Sequence, residues 1–189
     1  GRIVMNENVY EIEGKGETER PVVMKDDAST VETDGFIQCS RNLSVSWAKF
    51  AIPLGFSKLT SLMEIDSADS VVALNDVSIG TTNSNEASNG VGLNFMLIDV
   101  KKGSLSIASL KVEKGLSFDG VAMMKLEGRS AVGTIEAMSV TDATFSGTKG
   151  MIECGEESST DLMDCMVTGI SLADGAMISG SGVRSVKML

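Results

Sequence analysis

The amino-acid sequence predicts an all-β solenoid in which coils of three short strands, about 26 to 33 residues each, stack on one another. Three observations predict it. An apolar pattern at relative positions 0, 2, 5 and 7 recurs along the chain, a second apolar ladder precedes each copy, and the segments between are rich in Gly, Ser, Asp and Asn.

Residues 1–35 are the least regular. Ile3-Val4-Met5 and Val22-Val23-Met24 have the texture of strands, so this segment is expected to be an edge coil or cap, with the repeats filling 36–189. The first strand of each coil is read from Phe36-Ile37-Gln38-Cys39, Leu62-Met63-Glu64-Ile65, Phe95-Met96-Leu97-Ile98, Met123-Met124-Lys125-Leu126, Met151-Ile152-Glu153-Cys154 and Met177-Ile178-Ser179-Gly180. The four-point pattern supplies the other two. It reads Leu43, Val45, Ala48, Phe50, then Val72, Leu74, Val77, Ile79, then Leu105, Ile107, Leu110, Val112. Weaker copies follow as Gly133, Ile135, Met138, Val140, as Thr160, Leu162, Cys165, Val167, and as Ser181, Val183, Val186, Met188. Only Gly133, Thr160 and Ser181 in this set are not hydrophobic, whereas the positions between are mostly polar.

Strand side chains alternate with a period of two, so a step of three between positions 2 and 5 would turn half of these residues outward on a straight strand. A bend restores them. The corners are placed at Ser46-Trp47, Asn75-Asp76, Ala108-Ser109, Glu136-Ala137, Met163-Asp164 and Arg184-Ser185, most of them small or polar. Phe118-Asp119-Gly120 and Phe145-Ser146-Gly147 read as separators between strands, and Gly80 to Gly92 as a loop extruded from a corner. Leu105, Ile107, Leu110, Val112, Ile135, Met138, Val140, Leu162, Cys165 and Val167 are therefore expected to line one common apolar shaft.

Composition bounds the function. The 189 residues carry a net charge of −10, which repels phosphate backbones and anionic headgroups, so no nucleic-acid partner and no membrane insertion are expected. No run approaches the roughly 18 apolar residues a spanning helix needs. The chain has no histidine, which removes Ser-His-Asp and Cys-His nucleophile pairs and the commonest transition-metal ligand. Cys39, Cys154 and Cys165 lack metal or redox spacing and read as buried thiols. Methionines near the coil starts, Met63, Met96, Met124, Met151 and Met177, read as core filling rather than a soft-metal site. Acidic groupings are Asp26-Asp27, Glu64 with Asp66, Glu127, Glu153 with Glu156 and Glu157, and Asp161 with Asp164. Glu64, Lys125 and Glu153 share a ladder position, interrupted by Leu97, and read as a solvated face of mixed charge. No catalytic residue, cofactor or metal is expected. Asn42-Leu43-Ser44 fits the acceptor pattern for N-glycosylation in a secreted protein.

The segment from Phe95 to Gly180, with Gly103-Ser104-Leu105-Ser106-Ile107 and later Val140-Thr141-Asp142-Ala143-Thr144-Phe145-Ser146-Gly147, resembles the right-handed parallel β-helix of the pectin-lyase-like superfamily. Its texture is that of the degenerate repeats in large surface and secreted proteins, and the resemblance covers about residues 36 to 189. It implies a fold rather than an activity. Enzymes of that fold work through clustered carboxylates, sometimes with calcium, but the histidine of the galacturonase pattern and a pectate-lyase arginine motif are missing here. A leucine-rich repeat is the alternative fold, and it would serve as an interaction module. The column Ala48, Val77, Leu110, Met138, Cys165 and Val186 lacks that family's asparagine ladder. A β-sandwich also fits short, evenly spaced strands.

The expected role is structural. The repeat begins near Arg2 and still runs at Leu189 without an amphipathic capping helix, and open solenoid ends invite pairing with another chain. The expectation is a self-assembling extracellular, cell-surface or virion-surface protein that stacks into a fibre or layer as a homo-oligomer through its ends. A carbohydrate-binding or carbohydrate-acting domain is the alternative, and a glycan partner has little to stack on because aromatic residues are only 4% of the chain.

Overall fold

The computed structural model describes residues 3–5, 10–13, 22–24, 33–52, 59–81, 91–180 and 183–188. Among the described residues every regular element is a strand, and every pairing is parallel. The chain winds into a β-solenoid of about five turns. Traced coil by coil, β1 (Ile3–Met5), β2 (Tyr10–Glu13) and β3 (Val22–Met24) come first. They are followed by β4 (Thr33–Cys39), β5 (Leu43–Ser46) and β6 (Lys49–Ile52), then by β7 (Leu59–Asn75), β8 (Val77–Thr81) and β9 (Val91–Leu93). The next coil holds β10 (Met96–Ile107), β11 (Leu110–Val112) and β12 (Leu116–Asp119), and the one after it β13 (Met124–Leu126), β14 (Ala131–Glu136), β15 (Met138–Thr141) and β16 (Thr144–Ser146). The last are β17 (Ile152–Cys154), β18 (Ser159–Thr168), β19 (Ser171–Leu172), β20 (Ile178–Gly180) and β21 (Val183–Met188).

Three parallel sheets result. The first contains both the early ladder and the first half of the four-point pattern, which in β7 and β10 are one continuous bent strand. The second half of the pattern forms the second sheet, to which β18 runs on directly from the first. The third sheet is β9, β12, β16 and β19. It is built from the segments read as separators, whose apolar residues Phe118 and Phe145 stack with ring centroids 4.9 Å apart and planes at 8°. A strand of three residues with one inward side chain is too short to show alternation.

The central stacks follow the expected spacing. Val45, Leu74, Ile107, Ile135 and Leu162 sit on successive rungs, as do Phe50, Ile79, Val112, Val140 and Val167. The bend is equally specific: Trp47, Asp76, Ala137 and Asp164, the second residues of four expected corners, have φ of 54, 52, 49 and 50°. A left-handed residue reverses the side-chain alternation locally, which is what the step of three requires.

Two copies are placed differently from the spacing. Ile98, Asp99 and Val100, rather than Met96, Leu97 and Ile98, lie on Met63, Glu64 and Ile65. In the last coil Val183, Val186 and Met188 lie on Thr160, Leu162 and Cys165, so Arg184-Ser185 is not a corner but part of β21. Of the spacer from Gly80 to Gly92, its outer residues extend β8 and β9, while 82–90 lie outside the described residues.

Candidate functional site

The apolar shaft is closed along its sides. Leu105, Ile107, Leu110, Val112, Ile135, Met138, Val140, Leu162 and Cys165 are all buried, and only Val167 of the expected ladder is partly open. Val167 belongs to β18, the last described strand of the second sheet. The other hydrophobic residues packed against the core but partly exposed are Ile12, Val121, Ile170, Leu172, Met177 and Ile178. Apart from Val121, these residues lie towards the two extremes of the described stack: Ile12 in β2 of the first coil and the rest in the last two coils. Among the described residues no strand pairs with the outer edges of β19, β20 and β21, or with those of β1, β2 and β3. Met166, 57% exposed, stands on the outer side of β18.

A second grouping runs down the outside of the first sheet. Successive rungs are Gln38, Glu64, Asp99, Lys125, Glu153 and Ser179, so the interruption expected at Leu97 is filled by a carboxylate. Lys101 is the extra residue at a register shift between Val100 and Lys102, and its Nζ lies 3.0 Å from Glu64 Oε2. Gln38 Nε2 donates to Glu64 Oε1 at 3.1 Å. Lys125 pairs with Glu127, Lys102 with Asp66 at 3.3 Å, Lys149 with Glu153 at 2.9 Å, and Arg129 with Glu157 at 2.7 Å. Glu64 and Asp99 are only 1% and 5% exposed, and Asp99 Oδ1 has no hydrogen-bond partner. Desolvation holds the Asp99 carboxyl above its ordinary range despite the opposing pull of Lys101 and Lys125, with Glu64 and Glu127 adding to the rise. The hydrogen bond from Lys125 holds Glu127 below its own. These charges neutralise one another along the face. Among the described residues no group of three His, Cys, Asp or Glu side chains is placed to hold a metal ion.

The remaining candidates are dispersed. Asp26-Asp27 lies outside the described residues. Met63 and Met124 share a stack but Ile98 separates them, whereas Met151 and Met177, with Met123, immediately precede the stacked Met124, Ile152 and Ile178 and so follow one another on successive rungs. The three cysteines are buried and unpaired, and burial pushes the Cys39 thiol up to about 12. Asn42 is exposed at the turn between β4 and β5, where its Oδ1 accepts from Val71 N at 2.9 Å. On the second sheet Lys49 Nζ reaches Glu113 Oε1 and Oε2 at 2.8 Å across two coils. The intervening rung is close to Gly80, where an added Cβ would stand 2.0 Å from Glu113 Oε2. No described helix could cross a membrane. Comparison with family models, with curated proteins and with solved structures finds no match to this chain.

Proposed function

We propose that the protein is a structural β-solenoid, akin to the degenerate β-helix repeats of the pectin-lyase-like superfamily, that assembles end to end into a fibre or layer outside the cell or on a virion surface. One observation carries this reading. The partly buried apolar residues gather in the last described coils, at Val167, Ile170, Leu172, Met177 and Ile178, beside strand edges with no described partner. Covering such an end removes apolar area from water and satisfies edge N–H and C=O groups in one step. The flanks offer less to a ligand: on the first sheet Lys101, Lys102 and Lys149 are held in ion pairs with Glu64, Asp66 and Glu153, and among the described residues the exposed large hydrophobic residues Val71, Val132 and Met166 include no ring for a sugar to stack on. Sedimentation velocity over a range of concentrations, with electron micrographs of the same samples, tests the proposal. Elongated particles that lengthen with concentration are expected, and monomers at the highest concentration would overturn it.

A further inference from the structure

We infer that Asp99 and Glu64 form an acid-closed clasp between two coils: one proton from solvent, taken up by Asp99, joins the two carboxyl groups across the β7–β10 boundary. Two orphaned atoms carry this. Asp99 Oδ1 and Glu64 Oε2 are the only buried side-chain oxygens or nitrogens among the described residues without a hydrogen-bond partner. Their residues are direct partners on neighbouring parallel strands, whose backbones lie about 4.8 Å apart. Two ionised carboxylates cannot satisfy each other, because each only accepts. A single added proton turns one of them into a donor. The resulting O–H···O⁻ bond, roughly 2.5–2.7 Å long, satisfies both orphans at once.

The surrounding groups place that proton on Asp99. Glu64 already has its charge compensated: Gln38 Nε2 of β4 donates to its Oε1 at 3.1 Å, and Lys101 Nζ of β10 stands 3.0 Å from its Oε2. That ammonium is not aligned to donate to Oε2, which leaves the oxygen open to an approach from Asp99. The other charges of the face are engaged elsewhere. Lys125 and Glu127 of β13 hold each other, Glu153 of β17 is paired with Lys149, and Asp66 of β7 with Lys102. Desolvation, reinforced by the like charges of Glu64 and Glu127, raises the proton affinity of Asp99 against the pull of Lys101 and Lys125. The clasp stands where the backbone ladder is weakest, since β7 and β10 lose step between Val100 and Lys102 and again before Ser104. A raised carboxyl pKa adds stability that is complete below the unfolded value and is lost as pH rises through the folded one. Glu127, held low by Lys125, acts in the opposite sense, and its contribution is lost as pH falls through its own folded pKa. The boundary between these coils is therefore firmest on the acid side of neutrality, between those two steps.

NMR titration of the side-chain carboxyl carbons in the full chain, with hydrogen exchange at matched pH values, tests the clasp. The Asp99 carbon is expected to titrate above the ordinary aspartate range, and the Glu64 carbon to move in the same step, because a shared proton makes the pair titrate together. For each unit by which the measured Asp99 pKa exceeds its unfolded value, protection of the β7 and β10 amides, corrected for intrinsic exchange, should rise tenfold from neutral pH to the acid side of that step. Asp99→Asn, whose amide donates at every pH, should keep the protection and abolish its rise. An Asp99 carbon that titrates in the ordinary range, a Glu64 carbon that stays still through the Asp99 step, or protection unchanged across it would each overturn the clasp.

Discussion

Left-handed backbone conformations cost a non-glycine residue about 1–2 kcal/mol, and the solenoid accepts that cost at the same corner in coil after coil. Asp76 and Asp164 tolerate it through their short polar side chains, but Ala137 at φ 49° has no such help. Ala137→Gly should therefore raise stability by a few tenths to about 1 kcal/mol once the extra chain entropy of glycine is deducted, seen as a higher urea midpoint at unchanged slope. Asp99 is strained in another way. Its folded-state pKa lies above the unfolded value, so the folded chain takes up a proton first as pH falls, and the group penalises folding most when ionised in both states. Asp99→Asn is expected to be more stable than the parent at pH 7, with the advantage shrinking as pH drops through the raised pKa towards the ordinary carboxylate range. Urea titrations at neutral and acidic pH check this; an advantage that grows on acidification would contradict it. The apolar ladder of the sequence reached Ile98, beside Asp99, and stopped there. It did not reveal Asp99 as buried, because that depends on the rungs above and below it.

At the scale of the element, parallel register decides which side chains meet. An apolar pattern of period two looks the same after a slip of two residues, so spacing alone cannot distinguish Leu97 from Asp99 as the partner of Glu64. The difference is settled where β7 and β10 lose step, at Lys101 and again at Gly103. Gly103 adopts φ +91°, and an added Cβ would lie 2.4 Å from Ser67 O and 2.8 Å from Ser70 O, both backbone atoms of the coil below. Gly103→Ala should cost on the order of 2–4 kcal/mol, from backbone strain together with the clash. Its loss of hydrogen-exchange protection should centre on β7 and β10; loss confined to the termini would argue against this account. The corners other than Arg184-Ser185 were legible because their step of three is a large departure from alternation. The third sheet was not, since each of its strands commits only one or two side chains to the core.

Across the whole molecule, no coil has a core of its own. Ile135 is fully enclosed between Ile107 and Leu162, so a charge there is desolvated by three coils at once. Ile135→Asp is expected to destabilise by more than about 4 kcal/mol and to open β10 and β18 together with β14, which hydrogen exchange resolves strand by strand. Opening of β14 alone would contradict a shared shaft. Phe145→Ala leaves a ring-sized cavity beside Phe118 and should cost about 3–5 kcal/mol in chemical denaturation. The sequence by itself determined the class of fold, the repeat length, the apolar stacks through Ile107 and Ile135 and the place of every bend but the last, because period and its interruption are local properties of a strand. The tertiary structure alone decided which rung faces which, that Glu64 and Asp99 are enclosed side by side, and where the core is left uncovered. Those depend on how far one coil slides against the next, and bulges such as that at Lys101 set the slide without altering the alternation on either side.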